Sequence, residues 1–69
     1  MGQESVSTRL QRIRAYAVEV FEDEEDAKEW LNRPNPVLDG ERPIVVAETE
    51  EGAKLVRIAL GRIDHGVYT

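Results

Sequence analysis

The chain has 69 residues, a formal net charge of −5 and no cysteine. That length allows one domain at most, which buries only about 60% of the surface its unfolded chain exposes. The missing cysteines exclude disulfides and thiolate metal sites, and the acidic balance disfavours nucleic acid and favours a basic protein surface. No apolar run approaches the roughly 18 residues of a membrane span, and the first residues, M-G-Q-E-S-V-S, lack the apolar core of a signal peptide. The cysteine-free composition fits a reducing cytoplasm.

In chain order, Ser5 to Phe21 is expected as a helix. Val6, Leu10, Ile13, Ala17 and Val20 recur at 4-3-4-3 spacing with Phe21 beside them, a narrow apolar stripe. Arg9, Arg12 and Arg14 decorate the other sides. Three arginines on a helix are a weak nucleic-acid signal and are read as a solvated face. The run E-D-E-E-D over 22–26 lacks the glycine and alternating ligands of a calcium loop. It is read instead as Asp23 capping a second helix whose first turn the acids fill. That helix runs to about Asn32 with Ala27, Trp30 and Leu31 inward, and Trp30, the only tryptophan, is expected as the largest piece of core. Pro34 limits it and pushes Arg33 towards extended geometry.

Asn35 to Gly40 reads as a single turn, capped by Asn35, opened by Pro36 and closed by Gly40, with Val37 and Leu38 pointing inward. The stretch Arg42 to Glu48 is ambiguous. Ile44-Val45-Val46 has strand propensity, but no other run in the chain offers a pairing partner and Pro43 suits a first helical position. It is read as a short helix.

Thr49 to Thr69 reads as the last and strongest helix, ending in a short, exposed, partly apolar tail. Thr49 is its cap, Glu50 and Glu51 complement the positive end of its dipole, and Gly66 fits the left-handed position beyond its end, with His65 in the last turn. Gly52 stands where a capping box would place Glu or Gln. At about 100° per residue, Ala53, Val56, Leu60 and Ile63 form the core stripe with Ala59 alongside. Leu55 and Ile58 fall outside it and form a second apolar face, to be covered either by this chain or by a partner. Arg57, Gly61 and Asp64 form a third strip. Gly61 costs the helix about 1 kcal/mol against Ala. It either admits a close-approaching backbone or serves packing within the domain.

The fold class is therefore all-α: two longer helices, a short second helix, and one or two single-turn helices. Catalysis is not expected. There is no nucleophile–base pair, and Asp64 and His65, adjacent on a helix, point apart. No phosphate loop, metal-ligand cluster or cofactor site is visible. The remaining chemistry is binding, centred on Arg62, His65, Val67 and Tyr68, where an exposed Tyr beside Val and Arg is the kind of cluster that fills a partner's pocket. The competing possibility is that Tyr68 folds back or the tail frays.

The ordered set W-L-x-R-P-N-P-x-L-x-G (Trp30 to Gly40), R-P (Arg42-Pro43), E-T-E-E-G-A (Glu48 to Ala53) and V-x-x-x-L-G-R-I-D-H-G-V-Y (Val56 to Tyr68) resembles the toxin-binding domain of the Xre/MbcA/ParS antitoxins, over about residues 21–69. Each piece is ordinary; the order and spacing together are specific. The resemblance implies an all-helical domain, a bacterial toxin–antitoxin pair, and as partner a RES-domain toxin, an NAD-consuming enzyme related to ADP-ribosyltransferases. The last helix and tail would cover its NAD cleft in a hetero-oligomer. Matching positions carried over are Gly61, Arg62, Ile63, Asp64, His65, Gly66, Val67 and Tyr68, to which the exposed-face reading adds Leu55 and Ile58. Antitoxins of this kind commonly carry an N-terminal helix-turn-helix; nothing before Ser5 resembles one, so a single domain over residues 1–69 is expected, and DNA binding is not expected of this chain alone. The alternatives are a self-associating helical scaffold and a fragment of a DNA-binding regulator.

Overall fold

A computed structural model describes residues 5–66. Four α-helices and one 3-10 turn follow in order: α1 (Val6–Phe21), α2 (Glu24–Asn32), the turn Pro36–Leu38, α3 (Pro43–Val46) and α4 (Glu50–Asp64). No strand occurs among the described residues; a lone bridge between Asn35 and Glu41 closes the loop around the 3-10 turn.

α1, α2 and α4 each start where a side chain satisfies otherwise orphaned backbone N–H groups, whereas α3 opens on Pro43 with no side-chain cap. Ser5 Oγ accepts from Thr8 N at 3.1 Å, Asp23 Oδ1 from Glu25 N and Asp26 N at 2.8 and 3.1 Å, and Thr49 Oγ1 from Gly52 N at 2.9 Å. Asn35 Oδ1 does the same for Val37 N, opening the 3-10 turn. α1 stops at Glu22, which takes the left-handed conformation (φ 56°) and donates its N–H to Val18 O. Arg33 is extended, as the following proline demands. Pro43 occupies the first turn of α3, and Val46 N and Ala47 N donate to Arg42 O and Pro43 O, so the β-branched run is helical.

α1 packs on α2 and α4, α3 bridges α2 and α4, and the 3-10 turn closes over α4. The core is Ile13 and Ala17 of α1, Ala27 and Leu31 of α2, Leu38, Ala47, and Ala53, Val56 and Leu60 of α4. Two expectations are corrected. Trp30 is partly buried at the rim, tilted against Phe21 with ring centroids 6.0 Å apart; the largest fully buried side chains are Ile13, Leu31, Leu60, Val56 and Pro43. Val37 is 70% exposed while its neighbour Leu38 is buried, because successive residues of a 3-10 turn sit about 120° apart and cannot share an inward side. Val6, at the start of the α1 stripe, is also exposed, about two turns before Ile13, the first buried residue of that helix.

Candidate partner-binding surface

α4 carries the candidate surface, and its position is set at its first turn. Gly52 is buried, and a Cβ built there would overlap the carbonyl oxygen of Val46, a backbone atom of α3, and crowd the Thr49 hydroxyl. Glycine at this position is what lets α4 start directly on the end of α3. This explains the missing capping-box Glu: the site has no room for any side chain. A second tie comes from α1, where Arg9 Nη1 donates to Glu48 O at 2.8 Å. Arg9, expected on a solvated face, is instead a strut to the α3–α4 connection, and this tie across 39 positions has no local signature.

The inward side of α4 is Gly52, Ala53, Val56 and Leu60, all buried, with Ala59 and Ile63 partly buried beside them. The second apolar face is not covered by any element of the described chain. Leu55 is 53% exposed and Ile58 54%. With Glu51 before them and Arg62 after them, both exposed, they form one strip at 4-3-4 spacing along the helix. His65 continues the strip one turn further and is exposed at the helix end.

The other expected residues are distributed around this strip. Gly61 lies to one side and faces α1. A Cβ there would meet only the Tyr16 hydroxyl, at 3.5 Å, an ordinary contact. Packing within the domain therefore does not require glycine at 61, unlike at 52. Gly61→Ala is expected to raise stability by about 0.5–1 kcal/mol through helix propensity, read as an upward shift in thermal midpoint. Ile63 belongs to the core side, and Asp64 is exposed on the side away from Leu55. His65 N donates to Gly61 O, and Gly66 turns left-handed with φ 66°, ending the helix. Val67 and Tyr68 lie outside the described residues.

Among the described residues no group of three or more His, Asp or Glu side chains is placed to hold a metal ion, and no helix is long and apolar enough to cross a membrane. A concavity between α1 and α2 has an apolar floor of Val18, Ala27, Leu31 and Ile44 and a mixed rim that includes Arg14 and Glu24. Its rim charges oppose one another and bring together no nucleophile and base.

The fold defines a small all-α domain whose last helix presents an uncovered apolar strip. The model of the antitoxin Xre/MbcA/ParS C-terminal toxin-binding domain matches residues 17–66. The chain is 37% identical over 62 residues to antitoxin Xre of Photorhabdus laumondii subsp. laumondii, covering 88% of this chain and 42% of that protein. It is also 45% identical over 47 residues to 6-hydroxy-3-succinoylpyridine 3-monooxygenase HspA of Pseudomonas putida, covering 68% of this chain and 15% of that one. This chain therefore spans less than half the length of either relative. It belongs to the Xre/MbcA/ParS antitoxin family, through that family's toxin-binding domain.

Proposed function

We propose that this chain neutralises a RES-domain toxin by covering the toxin's NAD cleft with α4 and the residues that follow it. The observation that carries the reading is the exposed Leu55–Ile58 strip. A small domain that leaves two large apolar side chains half-exposed on its best-formed helix, in a family defined by toxin binding, has the surface such a partner would bury. Leu55 and Ile58 dock on the cleft rim, Arg62 and His65 flank the entrance, and Val67 and Tyr68 fill the NAD site. Gly61, Ile63, Asp64 and Gly66 set the direction in which the chain leaves the helix. The acidic domain, at net charge −5, speeds its approach to a cleft that binds the anionic dinucleotide through basic groups. On this reading the chain acts as an inhibitor in the bacterial cytoplasm, as a single toxin-binding domain in a hetero-oligomer with its toxin, and performs no reaction itself. The match to 15% of a monooxygenase brings none of that protein's chemistry here.

The test is a titration of a RES-domain toxin, the proposed partner, with NAD turnover as readout. The 69-residue chain is expected to stop turnover, and a version ending at Asp64 to bind without stopping it. Tyr68→Ala should weaken inhibition by about 1–3 kcal/mol, the loss of a pocket-filling anchor. Equal inhibition by the full and shortened chains would move the blockade from the tail to the helix face.

A further inference from the structure

The order of residues on the exposed strip of α4 carries information beyond its apolarity. Glu51, Leu55, Ile58 and Arg62 are all exposed and all lie within about 60° of one another around the helix. The strip is acidic at its start, apolar in its middle and basic at its end. Turned end for end, it complements itself. When a second copy of α4 lies antiparallel against the first, with the two-fold axis between positions 56 and 57, Leu55 of each helix meets Ile58 of the other, and Glu51 of each meets Arg62 of the other.

The 4-3-4 spacing is that of a heptad seam, and it keeps all four positions on the contact line of two helices crossing at about 20°. Both ends of the pairing are satisfied at once by one register. A shift by one helical turn would set Glu51 opposite Ile58 and leave Arg62 unmatched.

We infer that this face of α4 pairs with a second copy of the chain as an isologous antiparallel helix pair in that register. The contact runs over about 17 Å of helix. It falls below the size of a standard stable interface, so the pair is weak and reversible, with a dissociation constant on the order of 10–100 µM. The pairing stands on this chain alone. Its consequence for toxin binding rests on the function proposed above: two copies that hide Leu55 and Ile58 in one another must separate before the same face meets a toxin.

The test uses the full chain without any toxin, followed by sedimentation equilibrium from about 5 µM to 1 mM, with circular dichroism as the folding control. The unmodified chain is expected to move from monomer to dimer across this range. Glu51→Lys sets two Lys–Arg pairs against each other and Arg62→Glu sets two Glu–Glu pairs. Each is expected to weaken dimerisation at least about tenfold. The double variant Glu51→Lys with Arg62→Glu restores opposite charges across the pair and is expected to recover the affinity to within about threefold.

The recovery cannot come from a steadier helix. The double variant puts a cation at the positive end of the α4 dipole and an anion at the negative end, both unfavourable. A chain that stays monomeric at 1 mM overturns the inference. A dimer indifferent to the single charge reversals, or one that the double reversal fails to restore, also overturns it. A toxin titration that failed would leave this result untouched, so the two readings fall separately.

Discussion

Replacing Leu60 with Ala is expected to remove about 2–5 kcal/mol of stability, while replacing Leu55 with Ala, five residues earlier on the same helix, should change stability by about 0.5 kcal/mol or less. Leu60 is fully enclosed between α4 and the rest of the core, at 0% exposure. Truncating it removes the transfer free energy of its methyl groups and leaves a hole that the short helices can only partly close. For a domain of this size, total stability is on the order of 4–10 kcal/mol. A loss in the upper half of the range would unfold a large fraction of the molecules at 37 °C. Leu55 meets solvent on half its surface, so removing it forfeits little burial and leaves no cavity. Chemical denaturation of the two variants separates the sides of α4: one side holds the fold together and the other is free for a partner. A similar loss for both would mean that Leu55 packs within the domain.

The second large effect is expected at Gly52. Gly52→Ala adds a single methyl group, and on an exposed helix that change would stabilise by up to about 1 kcal/mol. Here the methyl would land on the Val46 carbonyl oxygen, a main-chain atom at the end of α3, with the Thr49 hydroxyl also in the way. No rotamer change relieves that overlap. α3 and α4 must separate, which also weakens the Thr49 cap and the packing of Ala47 and Ala53. The expected cost is about 3 kcal/mol, at the upper end for overpacking, seen as a drop in thermal midpoint on the order of 15 °C. Gly61→Ala on the same helix provides the control with the opposite sign. If both substitutions stabilise, α3 and α4 are not held in close backbone contact.

Much of this fold is legible locally. Asp23, Asn35 and Thr49 each sit just before a helical segment, and each caps it, because capping depends on residues two or three positions apart. The helical state of Pro43–Val46 follows from an argument by elimination: one strand with no partner leaves its backbone unsatisfied. Errors arise where several positions compete for limited interior space. Val37 and Leu38 are equally apolar, but their turn has one inward direction and Leu38 takes it. Trp30 has the size to dominate the core, but a ring that large does not fit between 9- and 16-residue helices already lined by Ile13, Ala17 and Leu31, so it caps the edge with Phe21. The Arg9–Glu48 tie and the Tyr16–Gly61 approach join residues far apart in sequence and have no periodic signal.

The candidate site divides the same way. Periodicity separates Leu55 and Ile58 from the core stripe of α4. It does not say whether another element covers them, which depends on how many helices the chain can place around α4. With α1, α3 and the 3-10 turn on the inward side and α2 packed on α1 and α3, no element among the described residues is left for the outer strip. Gly52 is visible in the sequence as a departure from the capping box, but its reason, contact with the α3 backbone, is tertiary.

The most direct test of the central claim is a binding titration between this chain and a RES-domain toxin, the partner proposed for it, comparing the unmodified protein with a Leu55→Asp, Ile58→Asp double variant confirmed as helical by circular dichroism. Two charges placed on an exposed strip should leave the fold intact but cannot be buried against an apolar rim without a large penalty. The account predicts tight binding by the unmodified chain and a loss of at least about a hundredfold for the double variant. Equal affinity of the two would contradict it, because the toxin would then be held by some other face.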